Sequence, residues 1–318
     1  MKTQLVTIGN LTTDNIVLFD GTRINGLPGG GSLYSALAAS FYLDKVGIIS
    51  IAGTAYSQNT LKRFENYGLD LEGIKYVRDE AGIIDDIIYL DPLGEKKRLY
   101  FPENSSLSED MTPRPDALSE NYFQNCTAYH LSSCTLDITC EWLKSLPENA
   151  IVSADPWIRE PGTDTSVCLE ALKRLNCFLP SEKEMHEIFG IQIPAEPIEY
   201  IPLLKRISTD ATEVICVKLG ERGALVFDPR EEKAWVLPPC PSKFVNVTGC
   251  GDSFCGGFLA GYLQDKDPFI SAAKGIVASS FTIEKLLSYD LLTITHMEVQ
   301  TRLAYYLHQI DREKNRIL

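Results

Sequence analysis

FVNVTGCGDSFCGGFLAGYL, residues 244–263, joins a β-branched run to a glycine-punctuated turn and then to a helix. Phe244, Val245 and Val247 suit a short strand, whereas Phe254, Phe258 and Tyr262, with Cys255 and Leu259 beside them, recur at the spacing of an amphipathic helix. The turn is therefore the N-terminus of a packed helix. Gly249 and Gly251 let the backbone turn sharply and approach a ligand closely, with the first unpaired N–H groups of the helix directed at it. Such a place favours an anion. A carboxylate there, Asp252, is repelled by that anion unless it has chemistry to do, and taking a proton from an attacking hydroxyl is the chemistry available to it.

The segment resembles the C-terminal signature of the ribokinase-like (PfkB) carbohydrate and nucleoside kinases, roughly D-T-x-G-A-G-D, which stands here as Asn246-Val247-Thr248-Gly249-Cys250-Gly251-Asp252. The resemblance implies a three-layer α/β/α fold with a mostly parallel central sheet and a small β lid. It implies ATP as phosphoryl donor with Mg2+, Asp252 as general base, the amides of Gly249, Cys250 and Gly251 as an anion hole, and Thr248 beside the nucleotide. Asn246 replaces the first Asp, a position that in this family braces the turn and helps shape a nearby monovalent-cation loop.

Further motifs follow in the family's order. Leu5 to Ile8 form a strand ending at Gly9, and Asp14 stands where the family binds an acceptor hydroxyl, although by itself it reads as a turn residue. Pro28 to Leu43, PGGGSLYSALAASFYL, is similar to the G-G-x-x-x-N-x-A segment that meets the acceptor, which implicates Gly30 and Gly31 and puts Tyr34 at the Asn position. Tyr34 offers a ring and one hydroxyl in place of an amide. Packing within the helix and contact with substrate are both open to it. Ala150 to Arg159 reads as a buried strand with Asp155 at its C-terminal end, where open α/β sheets place ligand groups, and resembles D-x-N-x-R with Trp157 for Asn.

Phe178 to Met185 is similar to the N-x-x-E motif, with Ser181 for Asn and Glu184 kept. The resemblance places Ser181 at the nucleotide and makes Glu184 an organiser of magnesium-bound water; alone, Glu184 is one more solvated helix charge. Val214 to Phe227 gives two strands around Gly220 and Gly223 and resembles the nucleotide-binding V-T-x-G-x-x-G segment, with Lys218 at the Thr position. Lys218 reads either as a point charge for phosphate or as a plain solvated lysine.

Composition agrees. The 318 residues are 44% apolar, enough for a wide buried sheet in a single domain. A net charge of -13 argues against nucleic acid as partner while leaving room for a local nucleotide site. Nine cysteines, an odd number without C-x-x-C, fit neither a disulfide framework nor a metal site and read as reduced, buried hydrophobes of a cytoplasmic protein. Cys250 is the one whose place at a helix N-terminus bears on its pKa, though the family carries a small residue there. The four histidines have no metal-ligand pairing, and neither a signal peptide nor a membrane-spanning run is present.

Strand patterns near 4–9, 46–51, 127–132, 150–155, 213–218 and 223–228 alternate with helices, which indicates a mostly parallel sheet covered on both faces. IIDDIIYLDPLGEKKRLYF, Ile83 to Phe101, breaks that pattern with two strand-like runs around Asp91-Pro92-Leu93-Gly94. A hairpin there, joined by an extended stretch near Ile16 to Ile24, makes the lid implied by the resemblance, at about 11–27 and 82–104. A two-stranded ribbon is marginal in water, so the lid needs further strands or a partner, and a homodimer is expected. The resulting expectation is a kinase for a hydroxyl of a small polyhydroxyl acceptor: a sugar, a nucleoside or a cyclitol. A family member that binds ligand without turnover is the alternative. A Rossmann dehydrogenase fails because Gly29-Gly30-Gly31 does not give G-x-G-x-x-G, and the chain has no Walker motif.

Overall fold

The structure is a computed structural model that describes residues 3–91, 95–100, 106, 111–117, 126–158 and 165–318. In chain order the elements are β1 Leu5–Gly9, β2 Thr12–Val17, β3 Arg23–Gly29, α1 Gly31–Ala39, β4 Val46–Ala52, α2 Gln58–Tyr67, β5 Ile74–Tyr76, β6 Ile83–Tyr89, β7 Lys96–Tyr100, β8 Ala128–Cys134 and α3 Leu136–Ser145. They continue as β9 Ile151–Pro156, α4 Thr165–Leu172, β10 Cys177–Phe178, α5 Glu182–Phe189, α6 Ile201–Ile207, β11 Val214–Lys218, β12 Ala224–Asp228, β13 Lys233–Leu237, α7 Cys250–Asp265, α8 Pro268–Ile283 and α9 His296–Gln309.

A nine-stranded sheet runs in the order β13-β12-β11-β10-β9-β8-β1-β4-β5. From β5 to β11 the strands are parallel, and β12 and β13 close the far edge antiparallel. β1, β4 and β11 read as nearly continuous apolar runs because both faces of the sheet are covered. Successive residues feed opposite layers: Leu5, Ile48 and Cys216 pack against α1, α7 and α8, while Val6, Ile49 and Val217 pack against α3 to α6.

The second sheet is the lid, in the order β3-β2-β6-β7. Ile16 to Ile24 is not one extended stretch as expected, because the chain reverses at Gly21 (φ 85°) and β2 and β3 form a hairpin. β6 pairs with β2 in parallel and with β7 antiparallel, so the lid supplies its own extra strands. Residues 92–94 of the expected Asp91–Gly94 turn, Arg159, and the lid positions 101–104 lie outside the described residues.

Residues 244–247 depart from expectation. They form no strand; instead the N–H groups of Val245 and Asn246 both donate to the carbonyl of Ile283, at 2.9 and 3.1 Å, at the end of α8. With β13 already closing the sheet edge, this segment docks on a helix end and leaves Phe244 exposed. α7 is not amphipathic either, since every residue from Ser253 to Tyr262 is buried. It runs between α1 and α8, and small residues set the approach: a Cβ on Gly256 would meet the Ser35 carbonyl oxygen at 2.0 Å, and one on Gly257 would meet Ala278 at 2.7 Å. The aromatic series does run along one side of the helix, with the Phe254 and Phe258 rings tilted at 6.0 Å and the Phe258 and Tyr262 rings stacked at 6.3 Å between centroids.

Candidate active site

Between lid and sheet lies a cavity of about 370 Å³ at the C-terminal ends of the parallel strands, the side on which open α/β sheets bind ligands. Asp14, Gly30, Gly31, Tyr34, Trp157, Thr248, Gly249 and Asp252 all line it. These residues come from four separate stretches of the chain.

The floor is the turn into α7. Gly249 caps the helix at φ 78°, and Cys250, Gly251 and Asp252 are its first three residues. The Cys250 N–H already donates to the Val247 carbonyl at 3.2 Å, so the turn itself uses that donor. The amide of Gly251 belongs to the group a helix start leaves without an internal partner. Burial pushes the Cys250 thiol up to about 12, which leaves it an uncharged thiol.

Asp252 is half-buried, with Oδ1 3.2 Å from Ser133 Oγ and 3.4 Å from Ser132 Oγ, both hydroxyls placed to donate. Ser35 Oγ donates to the Asp252 backbone carbonyl at 3.0 Å and lies 3.2 Å from Ser132. The serines come from the end of β8 and from α1, so two elements fix the start of α7. Tyr34 packs its ring directly on Gly249, where an added Cβ would fall 2.4 Å from the ring, while still lining the cavity. Helix packing and exposure to the cavity are thus compatible at this residue. Burial, with Asp14, Cys250 and Asp252 nearby, raises its phenol well above the ordinary value and keeps it neutral.

The roof is the lid. Asp14 is buried in β2 and takes a 2.6 Å hydrogen bond from Thr12 Oγ1. It is a strand residue rather than a turn residue. Its register partner on β6 is Asp85, also buried and facing the cavity. Tyr89, two residues past Ile87 on the same face, donates to Asn246 Oδ1 and accepts the N–H of Val247 at 3.1 Å. Lys96 Nζ of β7 lies 3.4 Å from Thr248 Oγ1. Asn246 is held from both ends: Oδ1 also accepts from the Thr248 N–H at 2.8 Å, and Nδ2 donates to the Leu286 carbonyl at 3.1 Å.

Asp85, Lys96, Ser132, Ser133 and Asn246 as a lid anchor were not anticipated. Only Asp85 left a trace in the sequence: in IIDDIIY the two acids fall on opposite faces, so one must point inward. Asp86 is the outward one and pairs with Arg23 at 2.8 Å.

Other expected residues sit apart from this cavity. Ser181 and Glu184 form a capping box at the start of α5, Ser181 Oγ accepting the Glu184 N–H at 3.3 Å and Glu184 Oε2 accepting the Ser181 N–H at 2.5 Å. Gly220 and Gly223 shape the turn between β11 and β12. A Cβ on Gly223 would lie 1.9 Å from the Leu237 carbonyl oxygen, so a backbone contact already requires glycine there. Lys218 is not a solvated lysine. It is half-buried, with Nζ 2.5 Å from Asp155 Oδ2. Burial alone would lower its pKa, but the Asp155 carboxylate outweighs that and holds it well above the ordinary value. Burial lifts Asp155 in turn, with Lys218 pulling it back.

Among the described residues no helix is long and apolar enough to cross a membrane. No group of three or more His, Cys, Asp or Glu among them could hold a metal.

Comparison with known proteins identifies the family. The family model of the pfkB family carbohydrate kinases fits residues 3–294. The chain is 26% identical over 265 residues to a cytidine kinase of Thermococcus kodakarensis, covering 83% of this chain and 90% of that one. It is 27% identical over 249 residues to an ATP-dependent ribose-1-phosphate kinase of Halopiger xanaduensis, covering 75% of each. Among solved structures, a ribokinase II candidate from E. coli in complex with ATP and Mg2+ superposes with a TM-score of 0.75 at 19% identity, over 95% of this chain and 99% of that one. The chain belongs to the pfkB family of carbohydrate kinases and is a phosphotransferase of the sugar and nucleoside kinase kind.

Proposed function

We propose that this kinase transfers the γ-phosphoryl group of ATP to a hydroxyl of a small polyhydroxyl acceptor, a sugar first, with nucleosides and cyclitols within the same chemistry. The observation that carries this reading is Asp252: a carboxylate at a helix N-terminus, held by two serine hydroxyls and facing a lidded cavity. A protein that only binds its ligand has no use for an acid beside an anion site.

Asp14 orients the acceptor by accepting hydrogen bonds from its hydroxyls, with Gly30, Gly31 and Tyr34 forming the wall beside it. Asp252 accepts the proton of the attacking hydroxyl as its oxygen bonds to the γ-phosphorus and the bond to the β-phosphate oxygen breaks, releasing ADP. The amides of Gly249 and Gly251 receive the charge on the phosphoryl oxygens. Ser181, Lys218, Gly220, Gly223 and Thr248 mark the nucleotide side, and the lid excludes water.

Magnesium fits a site without an all-protein cage, since it keeps waters and phosphate oxygens in its shell; Glu184 would hold it through water, and it would neutralise charge on the phosphates. Glu184 uses Oε2 in the capping box, which leaves Oε1 for that water. Asn246 braces its turn through an amide N–H given to Leu286, without a carboxylate. Half-buried Ile84, Ile88 and Leu99 on the outer face of the lid favour pairing of two chains there.

The test is ADP release with purified protein across pentoses, hexoses, nucleosides and inositols. Turnover at a kcat above about 1 s⁻¹ on one class supports the proposal. Tight binding of an acceptor with no ADP release would favour the ligand-binding alternative.

A further inference from the structure

Asp155 and Lys218 stand at the C-terminal ends of β9 and β11, on either side of the short β10, and meet at 2.5 Å. Both side chains are largely withdrawn from solvent. Cys255 of α7 donates its thiol to the same carboxylate oxygen, Oδ2, at 3.5 Å. The other oxygen, Oδ1, is buried and has no hydrogen-bond partner among the described residues.

A buried ion pair is a poor device for stability, because desolvation offsets most of its attraction. An unpartnered carboxylate oxygen adds to that cost. The location supplies a different reason. A Cβ built on Gly251 would find Lys218 Nζ as its nearest neighbour, at 3.7 Å, in ordinary contact. The ammonium therefore lies against the residue that donates the first free amide of α7. The carboxylates of Asp155 and Glu184 beside it, with Asp252 near Asp155, would otherwise make this corner repel a phosphoryl group.

We infer that Asp155 is a positioning residue that holds the Lys218 ammonium against Gly251, where Lys218 stabilises the negative charge of the phosphoryl group during transfer. This rests on the kinase reading above and deepens it. Lys218 becomes a catalytic contact rather than an element of nucleotide recognition, and Asp155 acts only through it. The preorganised ammonium does at this helix start what a P-loop lysine does in kinases of another design.

The experiment is a double-mutant cycle in the full chain with Asp155→Asn, Lys218→Met and the pair of changes together, and with Lys218→Arg as the conservative variant. kcat and both KM values are measured on an acceptor validated with the wild-type protein, ADP affinity by calorimetry, and folding by thermal denaturation. Lys218→Met should lower kcat about 10²-fold, with ADP affinity changed less than about threefold. Asp155→Asn should lower kcat by a smaller factor, and the double variant should be no slower than Lys218→Met, because one residue works through the other. Lys218→Arg should recover part of the rate.

Removing one partner of a buried pair can unfold a protein, whereas removing both leaves no unpaired charge. The double variant therefore decides the matter if a single one fails to fold. A double variant that turns over at the wild-type rate, or one in which ADP affinity falls as far as kcat, overturns the inference. The kinase reading is judged separately, by wild-type turnover and by Asp252→Asn.

Discussion

Ser133 Oγ lies 3.2 Å from Asp252 Oδ1, and Ser133 reaches that position with a backbone φ of 53°, in the left-handed region. Side chains other than glycine pay for that conformation with about 1 kcal/mol or more, and such strain persists where the surroundings fix it. Ser133→Gly should accordingly raise the stability of the protein, by up to about 1 kcal/mol, while lowering kcat several-fold through loss of a donor to the Asp252 carboxylate. Thermal denaturation and steady-state kinetics on the same preparations check both signs. A glycine variant as active as the wild type would remove Ser133 from the site.

Tyr34 carries two duties that separate by mutation. Tyr34→Phe keeps the ring under Gly249 and removes only the hydroxyl, so kcat should hold while any change appears in the acceptor KM. Tyr34→Ala removes the support of the turn as well and should cost about 3 kcal/mol of stability, with kcat falling alongside the rise in acceptor KM. The KM for ATP should change least in both. Equal effects on the two substrates would contradict a place on the acceptor side.

Glu184→Gln is informative because glutamine serves in a capping box as glutamate does. The melting temperature should stay within a few degrees, while the magnesium concentration needed for half-maximal rate rises severalfold. An unchanged magnesium titration would leave Glu184 as a cap and nothing more.

His130 sets a pH dependence of stability. It is fully buried in β8, with Nδ1 2.8 Å from Ser153 Oγ, and burial, with Lys218 nearby, depresses its pKa from 6.5 to about 3. The ring is neutral in the folded chain, so below pH 6.5 the unfolded chain binds one proton more than the folded one. Its contribution is complete above that value and is lost as pH falls from 6.5 toward 3, at about 1.4 kcal/mol per unit. Urea denaturation at pH 7.5 and 5.5 should show the wild type losing about 1.4 kcal/mol more than His130→Asn. Equal losses would mean that another group dominates the acid limb.

The sequence was most legible where chemistry and backbone geometry coincide. Gly249, Gly251 and Asp252 form a local unit whose turn, helix start and acid can be read without knowing what surrounds them. Asp14 and Tyr34 were legible only as positions in a family pattern, because a β2 residue and an α1 residue meet through the sheet and leave no spacing that records it. Ser132 and Ser133 left no signal at all, since two serines at a strand end are unremarkable until α7 is laid against them. The misread strand at 244–247 shows the limit of local patterning: β-branched residues fit a sheet, but β13 already closes the edge, and the N–H groups go to Ile283 instead. From sequence Lys218 reads as solvated or phosphate-bound because its partner Asp155 lies sixty-three positions away in sequence and only two strands away in space.

Asp252 is the centre of the account, and Asp252→Asn tests it most directly. The amide keeps the size of the carboxylate and much of its hydrogen bonding but lacks its basicity. ATP and acceptor binding, measured by calorimetry, should survive or improve slightly as repulsion with the γ-phosphate is relieved, while kcat on a validated acceptor falls about 10² to 10⁴-fold. A purified Asp252→Asn protein that turns over near the wild-type rate would contradict the mechanism.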